Sequence, residues 1–116
     1  MFLNGHLKVY ICRDRVDLRK SYEGLSLLVH HTLLLDPLSG HLFVFFNKRQ
    51  DKVKVLYWAG DGFCLWQKRL EQGRFKLFSF KEPCWILTLS DFHLLLSGVD
   101  ISGQLPRLEM KGFIVS

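Results

Sequence analysis

The repeat of apolar residues changes once along this chain, at Gly40, and that change dictates a fold with helix on one side of it and sheet on the other. Before Gly40, residues Tyr22, Leu25, Leu28, Val29, Thr32 and Leu33 recur at helical spacing from Ser21 onward. Asp36-Pro37-Leu38-Ser39-Gly40 then stops the pattern, because proline lacks the N–H a helix needs and glycine permits the turn. The spacing predicts a helix from Ser21 to Leu35. A β-rich run, Leu7 to Cys12, and a charged connection, Arg13 to Lys20, precede it.

After Gly40 the period shortens. His41 to Phe46 is a continuous apolar run, as in a strand covered on both faces. Val53 to Trp58 and Phe63 to Leu70 read as strands joined by the turn Ala59-Gly60-Asp61-Gly62. The Gln72-Gly73 pair predicts a tight turn into a further strand, Arg74 to Phe80, and Cys84 to Leu89 adds a short one after Glu82-Pro83. Ser90 reads as the N-cap of a short helix through Leu96, with Gly98 as its stop. The expected fold is α+β: a mainly antiparallel sheet of about five strands, one helix after the first strand and a short C-terminal helix. Residues 1–116 should form a single domain, with 101–116 a loosely ordered tail because no periodicity continues there. Ten Phe and three Trp supply the bulk for its core.

The turns set a register. A four-residue Ala59–Gly62 loop places Lys52 opposite Arg69 and Lys54 opposite Gln67. A two-residue Gln72-Gly73 turn places Arg69 opposite Lys76 and Gln67 opposite Phe78. Alternation then gathers Lys52, Lys54, Arg69, Arg74 and Lys76 on one face, with Trp58, Phe63, Phe78 and Phe80 at its other end. The opposite face, carrying Val53, Val55, Tyr57, Cys64, Trp66, Leu70, Phe75 and Leu77 with Lys68 as its exception, is the one expected to pack against helices.

Charge follows the same geography. The chain has 16 Lys and Arg against 11 Asp and Glu, and the segment Lys48 to Lys76 holds eight of those cations and three of the anions. That segment carries the whole net charge of +5. Such asymmetry points to a polyanionic partner or, more plainly, to solubility. On a sheet, cations beside aromatics grip phosphates and stack bases, whereas the plainer reading is a solvated strand face guarded by lysines.

Other chemistries are weakly written. The sequence has no G-x-x-x-x-G-K-[ST], G-x-G-x-x-G or G-x-S-x-G pattern, and Gly60-Asp61-Gly62 joins two strands rather than opening a helix. Cys12, Cys64 and Cys84 form no C-x-x-C pair and read as reduced core residues. His6, His30, His31, His41 and His93 lack metal-ligand spacing. Asp14, Asp17, Glu23, Asp36 and Asp61 have no spacing that specifies a two-metal site. No cofactor, metal or catalytic residue is therefore expected. Met1 to Tyr10 has no signal-peptide character, and Leu25 to Leu35 is too short and polar to span a bilayer, so a cytoplasmic protein without membrane contact is the expectation.

Several stretches occur together in a familiar order. They are Val9-Tyr10, Asp17-Leu18-Arg19-Lys20, Tyr22-Glu23-Gly24-Leu25, Asp36 to Phe45, Lys52 to Trp58 and Asp61 to Phe75. The set resembles the TnpB-type accessory protein, the second open reading frame product, of the IS sixty-six family of bacterial insertion sequences. That TnpB is unrelated to the RNA-guided nuclease of the same name. The likeness runs from about Val9 to Asp100. It implies a small protein encoded beside a larger transposase and required for efficient transposition, with no catalytic residues to carry over. Two positions depart from the pattern: Ser21 stands where the family usually has Gly, and the tail from Ile101 lacks the usual basic, Trp-bearing character. A tail-borne DNA contact is accordingly not expected here.

Together these readings predict a non-catalytic accessory protein of DNA transposition, with DNA, the transposase of the same element, or both as partners. The candidate nucleic-acid-binding residues are Lys52, Lys54, Arg69, Arg74 and Lys76. The alternative is a pure protein–protein adaptor that docks its basic face on the transposase. A nuclease is the weakest of the three, since no motif supports it.

Overall fold

A computed structural model describes residues 7–104. The fold is α+β, built on a five-stranded sheet. The strands are β1 (Val9–Cys12), β2 (Leu42–Phe46), β3 (Lys52–Trp58), β4 (Phe63–Arg69) and β5 (Cys84–Leu87), and they lie in the order β4-β3-β2-β1-β5. Helix α1 (Tyr22–His31) follows β1, and α2 (Leu89–Leu96) follows β5. Only β1 and β2 run parallel, so the chain between them must cross over, and α1 is that crossover. All other pairs are antiparallel.

Both faces of the sheet are covered, which explains why every residue of β2 is apolar and buried. On one face Tyr10, Cys12, Phe43, Phe45 and Leu56 meet Leu25, Val29 and Leu33 of the α1 region, together with Val16 and Leu18 from the loop before it. On the other, Val9, Ile11, Val44, Phe46, Val53 and Val55 meet Phe92 and Leu95 of α2, Phe75, and Ile101. Ile101 is fully buried, so the segment expected to be a loose tail is anchored in the core at its first residue. A 3₁₀ turn, Ser102–Gln104, follows it. The rest of that tail lies outside the described residues.

Helix α1 ends four residues before the expected Leu35. Thr32 caps it, and Leu34 takes a left-handed φ of 56°. Continued as helix, Leu35 would lie roughly 80–120° around from Leu25 and Val29. The break lets Leu33 and Leu35 tuck under the sheet, while Leu34 is left exposed at the strained position. The start is as expected, with Ser21 extended at the N-cap and its carbonyl accepting from the Leu25 N–H at 3.0 Å.

The predicted strand from Arg74 to Phe80 does not form, and the hairpin at Gln72-Gly73 goes with it. Instead the Leu70 N–H donates to the Asp51 carbonyl (2.8 Å) and the Phe75 N–H to the Gln50 carbonyl (2.8 Å), so the chain crosses the end of the β2–β3 hairpin. Phe75 then packs edge-on against Phe46 at 5.3 Å, and Phe78 and Phe80 pack around Trp85. The cause is non-local. Helix α2 is short and packs against β5, so something else must cover β2 and β3 on that face.

Helix α2 also begins earlier than expected. Thr88, not Ser90, is the N-cap, and its hydroxyl accepts from the Asp91 N–H at 3.0 Å. Starting there turns Phe92 and Leu95 inward. Gly98 ends the helix as expected, with a φ of 89°; its N–H donates to Leu95 and the Val99 N–H to Leu94. Among the described residues, no helix is long and apolar enough to cross a membrane.

Candidate nucleic-acid interface

The β3–β4 register is the one the Ala59–Gly62 loop dictates: Lys52 pairs with Arg69 and Lys54 with Gln67. These four residues lie on the α1 side, since Lys54 is opposite Phe45 and Leu56 opposite Phe43. The basic face is therefore not the bare face of the sheet. It is the margin that α1 leaves open, and Lys54 ties that margin to the loop before α1 by donating from Nζ to the Lys20 carbonyl at 3.0 Å. Leu18, Lys52, Lys54, Gln67, Lys68 and Arg69 line a groove there of about 420 Å³.

Lys52 and Leu18 also line a second groove, of about 640 Å³, whose walls carry Arg15, Arg19, Lys48 and Arg49. Its geometry comes from two ordered loops. The Val16 N–H donates to the Phe46 carbonyl at 2.9 Å, and Val16 and Leu18 are buried, so the residues between and beside them face outward. The β2–β3 turn is fixed by Asn47. Its Oδ1 accepts from the Asp51 and Lys52 N–H groups, both at 3.0 Å, and its Nδ2 donates to Asp51 Oδ1 at 2.6 Å. Gln50 holds a left-handed φ of 62° there, which only a well-determined turn retains. Lys48 and Arg49 project from this frame, both exposed. Replacing Asn47 with alanine should lower stability by about 2 kcal/mol, from three hydrogen bonds of modest net value each. Urea unfolding of the two proteins measures it.

The two grooves share Lys52 and form one track whose cations are Arg15, Arg19, Lys48, Arg49, Lys52, Lys54 and Arg69, with Asp17 as its carboxylate. Lys68 points to the α2 side, where its Nζ donates to the Leu96 carbonyl. Arg19 grips Asp17 through Nη2 at 2.6 Å and through its own backbone N–H at 3.0 Å. Those bonds hold the Asp17 carboxyl far below the usual range, so it stays ionised and offsets Arg19. Asp51 is also depressed, chiefly by the Asn47 amide and further by the nearby Arg69 and Arg49. Cations thus outnumber anions along the whole track, and field from one sign concentrates in such a cleft.

The other expectations separate. Arg74 and Lys76 are exposed but lie in the irregular crossing segment, one on each side of buried Phe75. Lys76 acts on Asp100, next to Ile101 in the α2-side core, so it is off the track. The aromatic end of the face is not a stacking platform either. Trp58 packs edge-on against Phe63 (5.0 Å) and Tyr22 stacks on Phe63, while Phe78 and Phe80 belong to the opposite side of the sheet.

Arg15 and Arg19 were missed by charge counting, because Asp14 and Asp17 halve the charge of their stretch and the chain outside Lys48–Lys76 sums to zero. The signal lay in the alternation of Arg15, Asp17 and Arg19 with apolar Val16 and Leu18. Among the described residues, no three His, Cys, Asp or Glu side chains converge as metal ligands. Cys12 and Cys84 face each other across β1 and β5, and burial raises both thiols, Cys84 to about 11. Protonated thiols are poor nucleophiles.

Comparison with known proteins adds a family. The family described as IS66 Orf2 like protein matches residues 7–105. The chain is also similar to two proteins of Sinorhizobium fredii (strain NBRC 101917 / NGR234). Uncharacterized protein y4jC is 37% identical over 94 residues, which cover 81% of this chain and 80% of that one. Uncharacterized protein y4hO is 36% identical over 95 residues, covering 82% and 83%. No solved structure matches.

Proposed function

The chain belongs to the family of IS66 Orf2 like proteins, and from that premise we propose that it is a non-catalytic accessory factor of DNA transposition that holds DNA by its phosphates. The transposase of the same element, working with it in the cytoplasm, supplies the chemistry and the choice of sequence. One observation carries the reading: seven cations from three separate parts of the chain line one open track, on β3, β4 and two loops held by backbone and Asn47 hydrogen bonds. Phosphates are bound well by fixed, exposed cations, because each neutralised phosphate releases a condensed counterion. Titrating the protein with DNA of the element's ends and with unrelated DNA, at two salt concentrations, tests it.

The non-catalytic part has its own test. Supercoiled plasmid incubated with the protein and magnesium or manganese should remain supercoiled. Nicking that disappears on changing Asp17 to alanine would overturn it, since that carboxylate lines the track. If the protein binds the transposase but no DNA, the adaptor reading replaces this one.

A further inference from the structure

We propose that β4 is a dimer interface, at which two copies of this chain join their β4 strands antiparallel about Trp66 into one continuous sheet. The inference stands apart from DNA contact. It starts from the order of the sheet, which leaves β4 on one edge, with all seven of its residues paired to β3 in an unbroken register. At one end the Gly62 carbonyl accepts from the Ala59 N–H (2.9 Å), and at the other the Leu70 N–H donates to the Asp51 carbonyl (2.8 Å). Antiparallel strands alternate, so the even-numbered residues between them face β3. Phe63, Leu65, Gln67 and Arg69 therefore direct their backbone N–H and C=O groups outward, where no strand of the described residues receives them.

Edges of this kind are usually blunted by proline, a bulge or a projecting lysine. β4 has no proline, and its register shows no bulge. Its lysine is turned away: Lys68 Nζ donates to the Leu96 carbonyl at 3.0 Å. Mid-strand, Leu65 and Trp66 are exposed, Trp66 at 43%.

Charge complementarity selects a second copy as the occupant. Full antiparallel overlap of two β4 strands places Phe63 opposite Arg69, Cys64 opposite Lys68, Leu65 opposite Gln67, and Trp66 opposite Trp66 of the second copy. All four outward-facing residues then fall at hydrogen-bonded positions, and the two Trp66 residues at the close, non-hydrogen-bonded one. No cation opposes a cation, and Arg69 meets an aromatic ring. Parallel pairing would instead line up Lys68 with Lys68 and Arg69 with Arg69. The two-fold axis of such a pair is perpendicular to the sheet, so the α1 side of both copies faces the same way.

Sedimentation equilibrium of the full chain should give twice the 13.6 kDa of one copy. Gln67→Pro removes an outward N–H without touching the β3 ladder, and it should give a monomer with unchanged circular dichroism. Trp66→Lys sets two cations opposite each other and should do the same. The register is read by cross-linking. In a Cys64→Ser background, Trp66→Cys should form an intermolecular disulfide with diamide, whereas native Cys64, opposite Lys68, should not. A mass of 13.6 kDa at every concentration reached would overturn the proposal, including the case where the chain's own terminal residues cover β4. So would a dimer indifferent to both edge variants, or one cross-linked through Cys64.

Discussion

Phe75→Ala should cost about 3–5 kcal/mol of unfolding free energy, as truncating a buried aromatic usually does. Phe75 is 2% exposed, lies edge-on to Phe46 and belongs to a cluster with Val53 and Val55. Its backbone N–H closes the crossing segment onto Gln50. A domain of ordinary stability has about 5–15 kcal/mol in total, so the loss would be a large share. In a urea titration the midpoint should fall sharply with the slope little changed. Arg74→Ala and Lys76→Ala, on exposed neighbours, should stay within about 0.5 kcal/mol. Equal, small effects at all three positions would mean that the segment lies free on the surface and that the sheet is covered by something else.

The same segment shows where reading the sequence ends. Gln72-Gly73 followed by alternating Arg74, Phe75, Lys76 and Leu77 satisfies the local pattern of a hairpin. What decides against it is the uncovered part of β2 and β3, which no local window contains. By contrast β2 was legible because a strand covered on both faces must be apolar throughout, and the β3–β4 register because a short turn fixes pairing. Three of the five candidate contacts, Lys52, Lys54 and Arg69, depended on that turn and came together. Arg74 and Lys76 depended on the failed hairpin and did not. The early end of α1 has the same character, since Leu34 accepts a left-handed conformation so that its neighbours can be buried. Local rules gave way wherever a non-local apolar surface had to be covered.

DNA affinity should fall about 150-fold between 50 and 200 mM salt, from a slope of roughly −3.6 in log affinity against log salt. The figure comes from counting the cations of the track that nothing else engages. Arg19 is offset by Asp17, Lys54 is tied to the Lys20 carbonyl, and Arg15 donates from Nη1 to the Arg13 carbonyl at 2.7 Å. Lys48, Arg49, Lys52 and Arg69 remain, at about −0.9 per phosphate each. Lys52→Ala or Arg69→Ala should reduce the slope's magnitude by about one. Arg74→Ala and Lys76→Ala should leave it unchanged, because those residues lie off the track. Lys54→Ala should act more on stability than on slope, by releasing the loop that carries Arg15 and Arg19. Affinity for unrelated sequences should fall in parallel, since phosphate contacts position a duplex without reading it. A slope near zero, or one that responds to Arg74 and Lys76 but not to Lys52 and Arg69, would reduce the track to a solvated surface. Loss of transposase binding in the Lys52 and Arg69 variants, with no DNA binding in any protein, would assign the same residues to an adaptor instead.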